Sequence, residues 1–327
     1  MKGIVRIGRT SALPGGMRRG VVAIGNFDGV HRGHRAVLNH ALEIARDEDR
    51  PAIVLTFEPH PRAFFQPDRP IFRLTPAPLK ARILEALGFE SVVEQPFTAA
   101  FAELPAEHFV SAVLEHDLGV AHVVPGHDFH FGKGREGTPE FLAKAGARLG
   151  FDVLLVDAYR DEGGAIVSSS RVRDCIVDGD AAGAAGLLGY RYLVAAPVRQ
   201  GQQLGRTLGY PTANMALPAE TALRHGVYAV RLRRADGTLH DGVASFGRRP
   251  TVTEDGEPLL ETFVFDASPD LYGETCTVSF FGFLRGEVKF DGFEALVAQM
   301  KRDEAEARAL LAGVKPLSVL DATLNFG

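Results

Sequence analysis

The chain has 327 residues, of which 46% are hydrophobic and 24% are charged, which is typical of a soluble globular protein of about two domains. Its net charge of −5 provides no positive field for nucleic acid, and no apolar run approaches the roughly 20 residues that cross a bilayer. The opening residues lack the apolar core of a signal peptide. We therefore expect a cytoplasmic protein that binds neither nucleic acid nor membrane, with Cys175 and Cys276 as free thiols.

The stretch 21–35, VVAIGNFDGVHRGHR, predicts a strand, a glycine-containing turn and a helix. A short apolar run is followed by the turn, and apolar residues then recur at helical spacing from residue 36 to residue 45. Backbone N–H groups at a helix start favour anions, and Gly25, Gly29 and Gly33 let backbone approach a ligand. Two imidazoles, His31 and His34, lie at the turn and the first helical residues. The stretch therefore predicts a site for phosphate groups.

Other interpretations of this stretch are weaker. For two histidines three residues apart and nothing else, a turn whose histidines only face solvent would be the preferred interpretation. Here the histidines coincide with three glycines and a strand–turn–helix pattern, so a ligand site is preferred. No Lys-Ser or Lys-Thr pair follows the glycines, which excludes a Walker-type phosphate loop. Zinc would need a third ligand, and only Asp28 lies nearby in the sequence, so chemistry based on metal alone is disfavoured.

Strand and helix patterns alternate from about residue 21 to residue 178, which predicts a doubly wound parallel sheet covered by helices. Ligands of such sheets bind beyond the carboxyl ends of the strands. Besides the strand at 21–24, the predicted strands are 4–7, 52–57, 91–94, 121–124 and 153–156. The predicted helices after the first are 79–87, 105–118, 138–149 and 171–177.

Two polar stretches in this half carry further candidate ligand contacts. The loop 126–137 combines aromatic and charged side chains, which suit stacking on an aromatic ligand and holding its phosphate, although a flexible surface loop is the alternative. The stretch 168–173, SSSRVR, places hydroxyls and guanidinium groups at the start of a helix. Capping explains one serine but not Arg171 or Arg173, so we expect a second anion-binding corner.

The pattern changes near residue 187, which predicts domains at 1–187 and 188–327. Short runs of strand-forming residues, separated by turn signals, then predict an antiparallel β-barrel or sandwich. These runs are 192–198, 227–232, 242–246, 261–265 and 275–281, and the chain closes with an amphipathic helix over 293–311. Its predicted buried face comprises Phe293, Leu296, Val297, Met300, Ala307, Leu310 and Leu311.

A second candidate site lies in the stretch 201–214, GQQLGRTLGYPTAN. Thr212 and Asn214 are two residues apart, so extended chain would place both oxygens on one face, near Mg²⁺. A turn rich in polar residues is the alternative for the last four residues alone. Glu261 heads the apolar run ETFVF, where an acidic residue is usually solvated.

These stretches together resemble a known family. GNFDGVHRGH resembles the nucleotide-binding motif of the HxGH nucleotidyltransferases, in particular the N-terminal module of the bifunctional prokaryotic FAD synthetases. SSSRVR resembles that family's ISSTxIR motif, with Ser170 in place of the threonine, and 201–214 resembles its riboflavin kinase signature. The resemblance implies an HxGH nucleotidyltransferase-like domain that adenylylates FMN, followed by a barrel domain that phosphorylates riboflavin.

The resemblance also implies the roles of individual residues. His31, His34 and Glu261 are the implied catalytic residues, with Glu261 as the base that deprotonates the riboflavin 5′-hydroxyl, while FMN contacts come from Asp128 and Phe129. The adenylyltransferase ATP site would comprise Gly25, Asn26, Phe27, Asp28, His31, His34, Ser169, Ser170, Arg171 and Arg173. The kinase ATP site would comprise Gly205, Arg206, Gly209, Pro211, Thr212 and Asn214, with Mg²⁺ at the last two.

ATP, riboflavin and FMN are then the small-molecule partners, with FAD as the final product, and the oligomeric state is left open. Two alternatives stand beside this interpretation. A flavin- or nucleotide-binding sensor without turnover is disfavoured because a pure binder needs neither Glu261 nor the histidine pair. An HxGH nucleotidyltransferase with another acceptor is disfavoured by the second, β-rich domain.

Overall fold

The computed structural model describes residues 3–201, 209–248 and 256–327. The chain folds into two compact units, Met1–Ser169 and Ser170–Gly327. This division concerns compactness, and the functional boundary expected near residue 187 stays a prediction.

The first unit is built on a six-stranded sheet with the order β1-β4-β3-β2-β5-β6, in which every neighbouring pair is parallel. The predicted parallel sheet is confirmed. The sixth strand is shorter than predicted, because Leu154 and Leu155 are exposed beyond it and residue 156 forms only an isolated bridge. The strands are β1 (Val5–Ile7), β2 (Val21–Ile24), β3 (Ala52–Glu58), β4 (Ser91–Pro96), β5 (His122–Pro125) and β6 (Asp152–Val153).

The helices of this unit begin and end largely as the sequence predicts. The sixth, for example, is capped by Thr138, whose side chain accepts a hydrogen bond from the Phe141 N–H, and it ends before Gly150. The predicted helix 105–118 is present, but it is an α-helix only at its start. From Phe109 it is a π-helix, which ends with a hydrogen bond from the Gly119 N–H to Leu114 O. The helices are α1 (Arg32–Asp47), α2 (Pro61–Phe65), α3 (Ala77–Leu87), α4 (Ala99–Ala102), α5 (Ala106–His108, continued by the π-helix Phe109–Leu118) and α6 (Pro139–Leu149).

The second unit is a closed antiparallel barrel with the strand order β10-β11-β8-β7-β12-β9. The predicted barrel and its C-terminal helix are confirmed. The strands are β7 (Leu193–Arg199), β8 (Thr212–Ala216), β9 (Gly226–Arg233), β10 (Leu239–Arg248), β11 (Pro258–Val264) and β12 (Thr275–Arg285). The helices are α7 (Ser169–Asp178), α8 (Ala181–Leu188), α9 (Phe293–Gly313) and α10 (Val319–Asn325).

Two predictions about this unit are wrong. Glu261 does not head a strand; it is the fourth residue of β11, which begins at Pro258. Phe293, expected on the buried face of the long helix, is 72% exposed. The buried residues of α9 are Asp303, Ala307 and Leu311, so burial along this helix is concentrated from its middle to its C-terminal end.

The last helix, α10, is held to the barrel unit by charge. The fully buried carboxylate of Asp321 accepts hydrogen bonds from the Arg191 and Leu317 N–H groups, both at 2.9 Å, and from the amide of Asn325 at 2.8 Å. The Arg191 guanidinium group pairs with the same carboxylate and lies 5.1 Å from the centre of the Phe281 ring. A buried charge pair of this kind destabilises the fold strongly when one partner is lost.

Both cysteines are free thiols, as predicted. Cys276 lies within β12 and is fully buried, whereas Cys175 on α7 is partly exposed. Burial raises the pKa of the Cys276 thiol to about 11.

Candidate active sites

The first site is the loop between β2 and α1, which is buried and conformationally strained. Phe27 and Val30 adopt positive φ angles of 47° and 38°, a region that non-glycine residues rarely enter. Asp28 is 2% exposed, and its carboxylate accepts hydrogen bonds from the N–H groups of Leu74 at 3.3 Å and Thr75 at 3.0 Å. These bonds tie the loop to the segment 73–75, and a contact of Asp28 with ATP stays a prediction.

The two histidines of this loop form a stacked pair. Their ring centres are 3.6 Å apart with the planes inclined by 15°, and the Phe27 ring meets His34 edge-on at 5.4 Å. His31 caps α1, because its Nδ1 accepts a hydrogen bond from the His34 N–H at 3.2 Å. A ring nitrogen that accepts carries no proton, so neutral His31 has its proton on Nε2, which can act as a donor.

Gly33 lies directly against this pair. A Cβ added at residue 33 would lie 3.1 Å from the His31 ring and 3.1 Å from the Val167 carbonyl oxygen. The Ser169 hydroxyl donates to the Asp28 carbonyl at 2.8 Å, so the start of the SSSRVR stretch reaches the loop. Ser170, Arg171 and Arg173 continue along α7 in the second unit, and their part in this site stays a prediction.

The predicted FMN contacts lie on an ordered loop after β5. Phe129 is half-buried and stacks on Phe131, with ring centres 5.4 Å apart. The loop is anchored, because the Lys133 N–H donates to Leu104 O at 2.8 Å and the Glu136 carboxylate accepts from the Ala106 N–H at 2.8 Å. These bonds disfavour the flexible-loop alternative. Asp128 is exposed, and its contact with FMN stays a prediction.

Arg32 lies between the two histidines, and no pattern in the sequence points to a role for it. Its guanidinium group bonds to the Glu162 carboxylate at 2.5 and 3.0 Å and to the Tyr159 hydroxyl at 2.5 Å. The hydrogen bond from Arg32 lowers the pKa of Glu162 to about 2. Arg32 therefore connects the start of α1 to the segment 159–162 by hydrogen bonds. No local sequence pattern indicates this connection.

The second site lies on strands β8 and β11 of the barrel. Buried and half-buried residues alternate along β11, so that Leu260 and Thr262 face the barrel interior and Glu261 lies on the other face. Glu261 is paired directly with Asn214 of β8 and with Ser245 of β10. Side chains of directly paired residues start about 5 Å apart on one face. The strand register thus brings together the carboxylate and the amide that the resemblance assigns to the kinase.

Thr212 and Asn214 lie on the same face of β8, as the spacing predicts. The Asn214 amide nitrogen donates to Thr212 O at 3.1 Å and contacts its Oγ1 at 3.4 Å. Both residues and Pro211 line a cavity of about 560 Å³, whose other described walls come from β7, Gly201, β11 and the segment 267–272. Glu261 lies outside that lining. Gly205 and Arg206 lie outside the described residues, and Gly209 has a positive φ of 82°.

Metal binding by protein side chains alone has no support in the part of the chain that the structure describes: no group of three or more His, Cys, Asp or Glu residues there is arranged to hold an ion. Mg²⁺ is usually held by one or two protein oxygens together with substrate phosphates. The hydroxyl of Thr212 and the amide of Asn214 supply oxygen donors of that kind. The described helices include none with the length and apolar character to cross a membrane.

The two folds and their sites define a class of protein: a parallel α/β nucleotide-binding unit with a histidine pair, followed by a barrel with a Thr-Asn-Glu cluster. The FAD synthetase family model matches residues 15–171, and the riboflavin kinase family model matches residues 188–311. The bifunctional riboflavin kinase/FMN adenylyltransferase of Escherichia coli (strain K12) is 40% identical over 296 residues, which cover 90% of this chain and 94% of that protein.

A second relative and a solved structure are similar to this chain over nearly its whole length. The bifunctional riboflavin kinase/FMN adenylyltransferase of Pseudomonas fluorescens is 42% identical over 295 residues, covering 90% of this chain and 94% of that protein. A crystal structure described as a macrolide-efflux protein from Streptococcus pneumoniae superposes with a TM-score of 0.80 at 31% identity, covering 93% of this chain and 98% of that one. The chain belongs to the bifunctional riboflavin kinase/FMN adenylyltransferase family, and the family expected from the sequence motifs is confirmed.

Proposed function

We propose that the two units catalyse consecutive reactions: the barrel unit phosphorylates riboflavin to FMN, and the α/β unit joins FMN to AMP, giving FAD and pyrophosphate. The observation that carries the proposal is the strand register that sets Glu261 beside Asn214. A flavin-binding protein without turnover has no need of a carboxylate at that position. The chain is therefore proposed to act as an enzyme at both sites.

In the kinase reaction, Glu261 orients the riboflavin 5′-hydroxyl and takes its proton as the oxygen attacks the γ-phosphorus of ATP. The bond from the γ-phosphorus to the β,γ-bridging oxygen breaks, and ADP leaves. Thr212 and Asn214 position the ATP phosphates from the next strand. Mg²⁺, when bound there with ATP, neutralises charge that develops on the phosphate oxygens. Pro211, Gly209, Gly205 and Arg206 are proposed to complete the ATP contacts.

In the adenylyl transfer, an oxygen of the FMN phosphate attacks the α-phosphorus of ATP. The bond between the α-phosphorus and the α,β-bridging oxygen breaks, and pyrophosphate leaves. The nucleophile is already an anion, so no protein base is required. Catalysis then rests on positioning and on stabilising the negative charge of the phosphates. His31, through its donating Nε2, and His34 are proposed to supply hydrogen bonds. Gly25, Asn26, Phe27, Asp28, Ser169, Ser170, Arg171 and Arg173 are proposed to complete the ATP site.

We assign FMN binding to the aromatic side of this unit. Phe129 and Asp128 are the proposed contacts, and Phe129 stacks on Phe131 as a face for a planar ring. Phe65 of the same unit is also exposed, and it packs edge-on against Phe97 at 5.7 Å. A flavin ring is planar and largely apolar, so such a surface suits it.

The functional modules are proposed to be residues 1–187 and 188–327, which is compatible with the family models meeting between residues 171 and 188. We also propose that the enzyme works in the cytoplasm on small molecules rather than on nucleic acid or at a membrane. The net charge of −5 favours this choice of partners.

The direct test is product analysis. Purified protein is incubated with riboflavin, ATP and Mg²⁺, and the flavins are separated by chromatography. The proposal expects FMN to appear first and FAD to follow. Binding of riboflavin without any FMN would support the sensor alternative. FMN formation without FAD, combined with adenylylation of another phosphate acceptor in a competition assay, would support a different acceptor for the first unit.

A further inference from the structure

A group of four charged side chains, two buried and two half-buried, lies beneath the loop of the first site, and only one of them, Asp28, has a part in the steps proposed above. Its members are Asp28, Glu58, Arg73 and Lys80, two acids and two bases. Lys80 is only 1% exposed, although it is a lysine on helix α3. A buried ammonium group persists only where its charge and all its donors are satisfied.

The three donors of Lys80 all have acceptors. Its Nζ bonds to the carbonyl oxygen of Asn26 at 2.9 Å, to Thr56 Oγ1 at 2.9 Å and to the Glu58 carboxylate at 3.4 Å. Thr56 Oγ1 in turn donates to the same Asn26 carbonyl at 3.2 Å. The first peptide of the loop is therefore held from below by two donors, one of which is charged.

The remaining charges fix Lys80 itself. Arg73 forms two hydrogen bonds with Glu58, at 2.8 and 3.0 Å, and its Nε lies 3.6 Å from the Asp28 carboxylate. Burial lowers the pKa of Lys80, and the Glu58 charge opposes that shift. The group thus connects the end of β3, the segment 73–75 and α3 to Asn26 and Asp28 of the loop between β2 and α1.

That loop needs support. Phe27 and Val30 hold positive φ angles, and conformations of this kind persist only where the surrounding structure fixes them. His31 follows the strained segment directly. We propose that Lys80 is a positioning residue for adenylyl transfer: by holding the Asn26 carbonyl, it keeps the strained loop and the His31 imidazole where the transferring phosphates require them. This proposal rests on the adenylyl transfer proposed above.

The test compares Lys80→Met with Lys144→Met, which removes an exposed lysine from α6 of the same unit. Lys80→Met keeps the length of the side chain and removes the donors. A misplacement of about 1 Å at a reacting group costs roughly 100-fold in rate, so we expect kcat for FAD formation from supplied FMN to fall about 100-fold. The KM for ATP should change by less than about threefold, because the lost contribution is made in the transition state. Lys144→Met should match the wild type.

Lys80→Met risks misfolding, so a second pair of variants leaves the charges intact. Thr56→Val removes the other donor to the Asn26 carbonyl and should lower kcat in the same manner but less, about 10-fold. Thr56→Ser retains the hydroxyl and should restore the rate. Riboflavin phosphorylation, measured on every variant, should be unchanged.

The inference is overturned if Lys80→Met has a kcat within about threefold of the wild type, or if Thr56→Val and Thr56→Ser have equal rates. A rise in KM for ATP with an unchanged kcat would also contradict it, since that pattern means lost ground-state binding. If the wild-type protein forms no FAD, the proposed function itself fails. That failure is distinguishable, because it appears before any variant is made.

Discussion

The replacement of Gly201 by alanine tests the geometry of the kinase site most closely. A Cβ at residue 201 would lie 2.7 Å from the amide atoms of Asn214, whereas ordinary contacts begin at 3.4 Å. Asn214 is 6% exposed and its nitrogen is bonded to Thr212, so its side chain cannot simply rotate into solvent. The amide must therefore shift by about 0.7 Å, away from the position in which we propose that it contacts the ATP phosphates.

A misplacement of 1 Å near the reacting atoms costs roughly 100-fold, so we expect Gly201→Ala to lower kcat for FMN formation by about 10- to 100-fold. This corresponds to about 1.4–2.8 kcal/mol of transition-state stabilisation. The assay follows FMN formed from riboflavin with ATP and Mg²⁺, and FAD formed from supplied FMN reports on the other unit and should be unaffected.

Gly313→Ala is the matched control, because a Cβ at that residue meets nothing within 4 Å and the residue lies at the end of α9 in the same unit. It should behave as the wild type. Equal kinase rates for the two variants would refute the reasoning that Asn214 must keep its position. Loss of both activities in Gly201→Ala would mean that the substitution damages the whole chain rather than one site.

Three further predictions concern stability and the other site. Gly33→Ala should lower FAD formation from FMN by about 10-fold with riboflavin phosphorylation unchanged, because its methyl group would press on the His31 ring at 3.1 Å; equal rates in both assays would contradict this. Asp321→Asn should destabilise the second unit by about 3 kcal/mol, since it leaves the buried Arg191 cation without a counter-charge, and calorimetry should show a melting temperature about 10 °C lower. Cys276, with its raised pKa and full burial, should react with a thiol reagent at pH 8 only after unfolding, and rapid labelling of the Cys175→Ser variant in its native state would contradict the burial of Cys276.

Features of the fold and of the sites could be predicted from the sequence where they depend on local periodicity or on a motif of contiguous residues. The apolar runs of the first unit are buried on both faces, so they stand out as strands of a parallel sheet. Cap residues such as Thr138 mark helix starts because the capping bond is local. The histidine pair was found because a strand, a turn and a helix start are contiguous in the chain.

Features that depend on contacts between residues far apart in the sequence could not be predicted in this way. β8, with the sequence TANMA, lacks a run of strand-forming residues and is a strand through its pairing with β7 and β11, and the pairing of Glu261 with Asn214 needs the barrel register. An amphipathic pattern indicates which face of α9 is apolar but not how far along the helix that face is buried, and Phe293 is exposed. Lys80 gave one unused signal, a single lysine among apolar residues at the start of α3, but its partners Glu58 and Arg73 come from other segments.

The central claim is that one chain carries two independent active sites, and a crossed product analysis of two variants tests it most directly. His31→Asn removes the imidazole but keeps an oxygen that can cap α1, and Glu261→Gln keeps the shape of the side chain but removes the base. With riboflavin, ATP and Mg²⁺, His31→Asn should accumulate FMN and form no FAD, whereas Glu261→Gln should leave riboflavin unchanged yet convert supplied FMN to FAD. Loss of both activities, riboflavin phosphorylation and FAD formation from supplied FMN, in either folded variant would contradict the account, and so would retention of both activities.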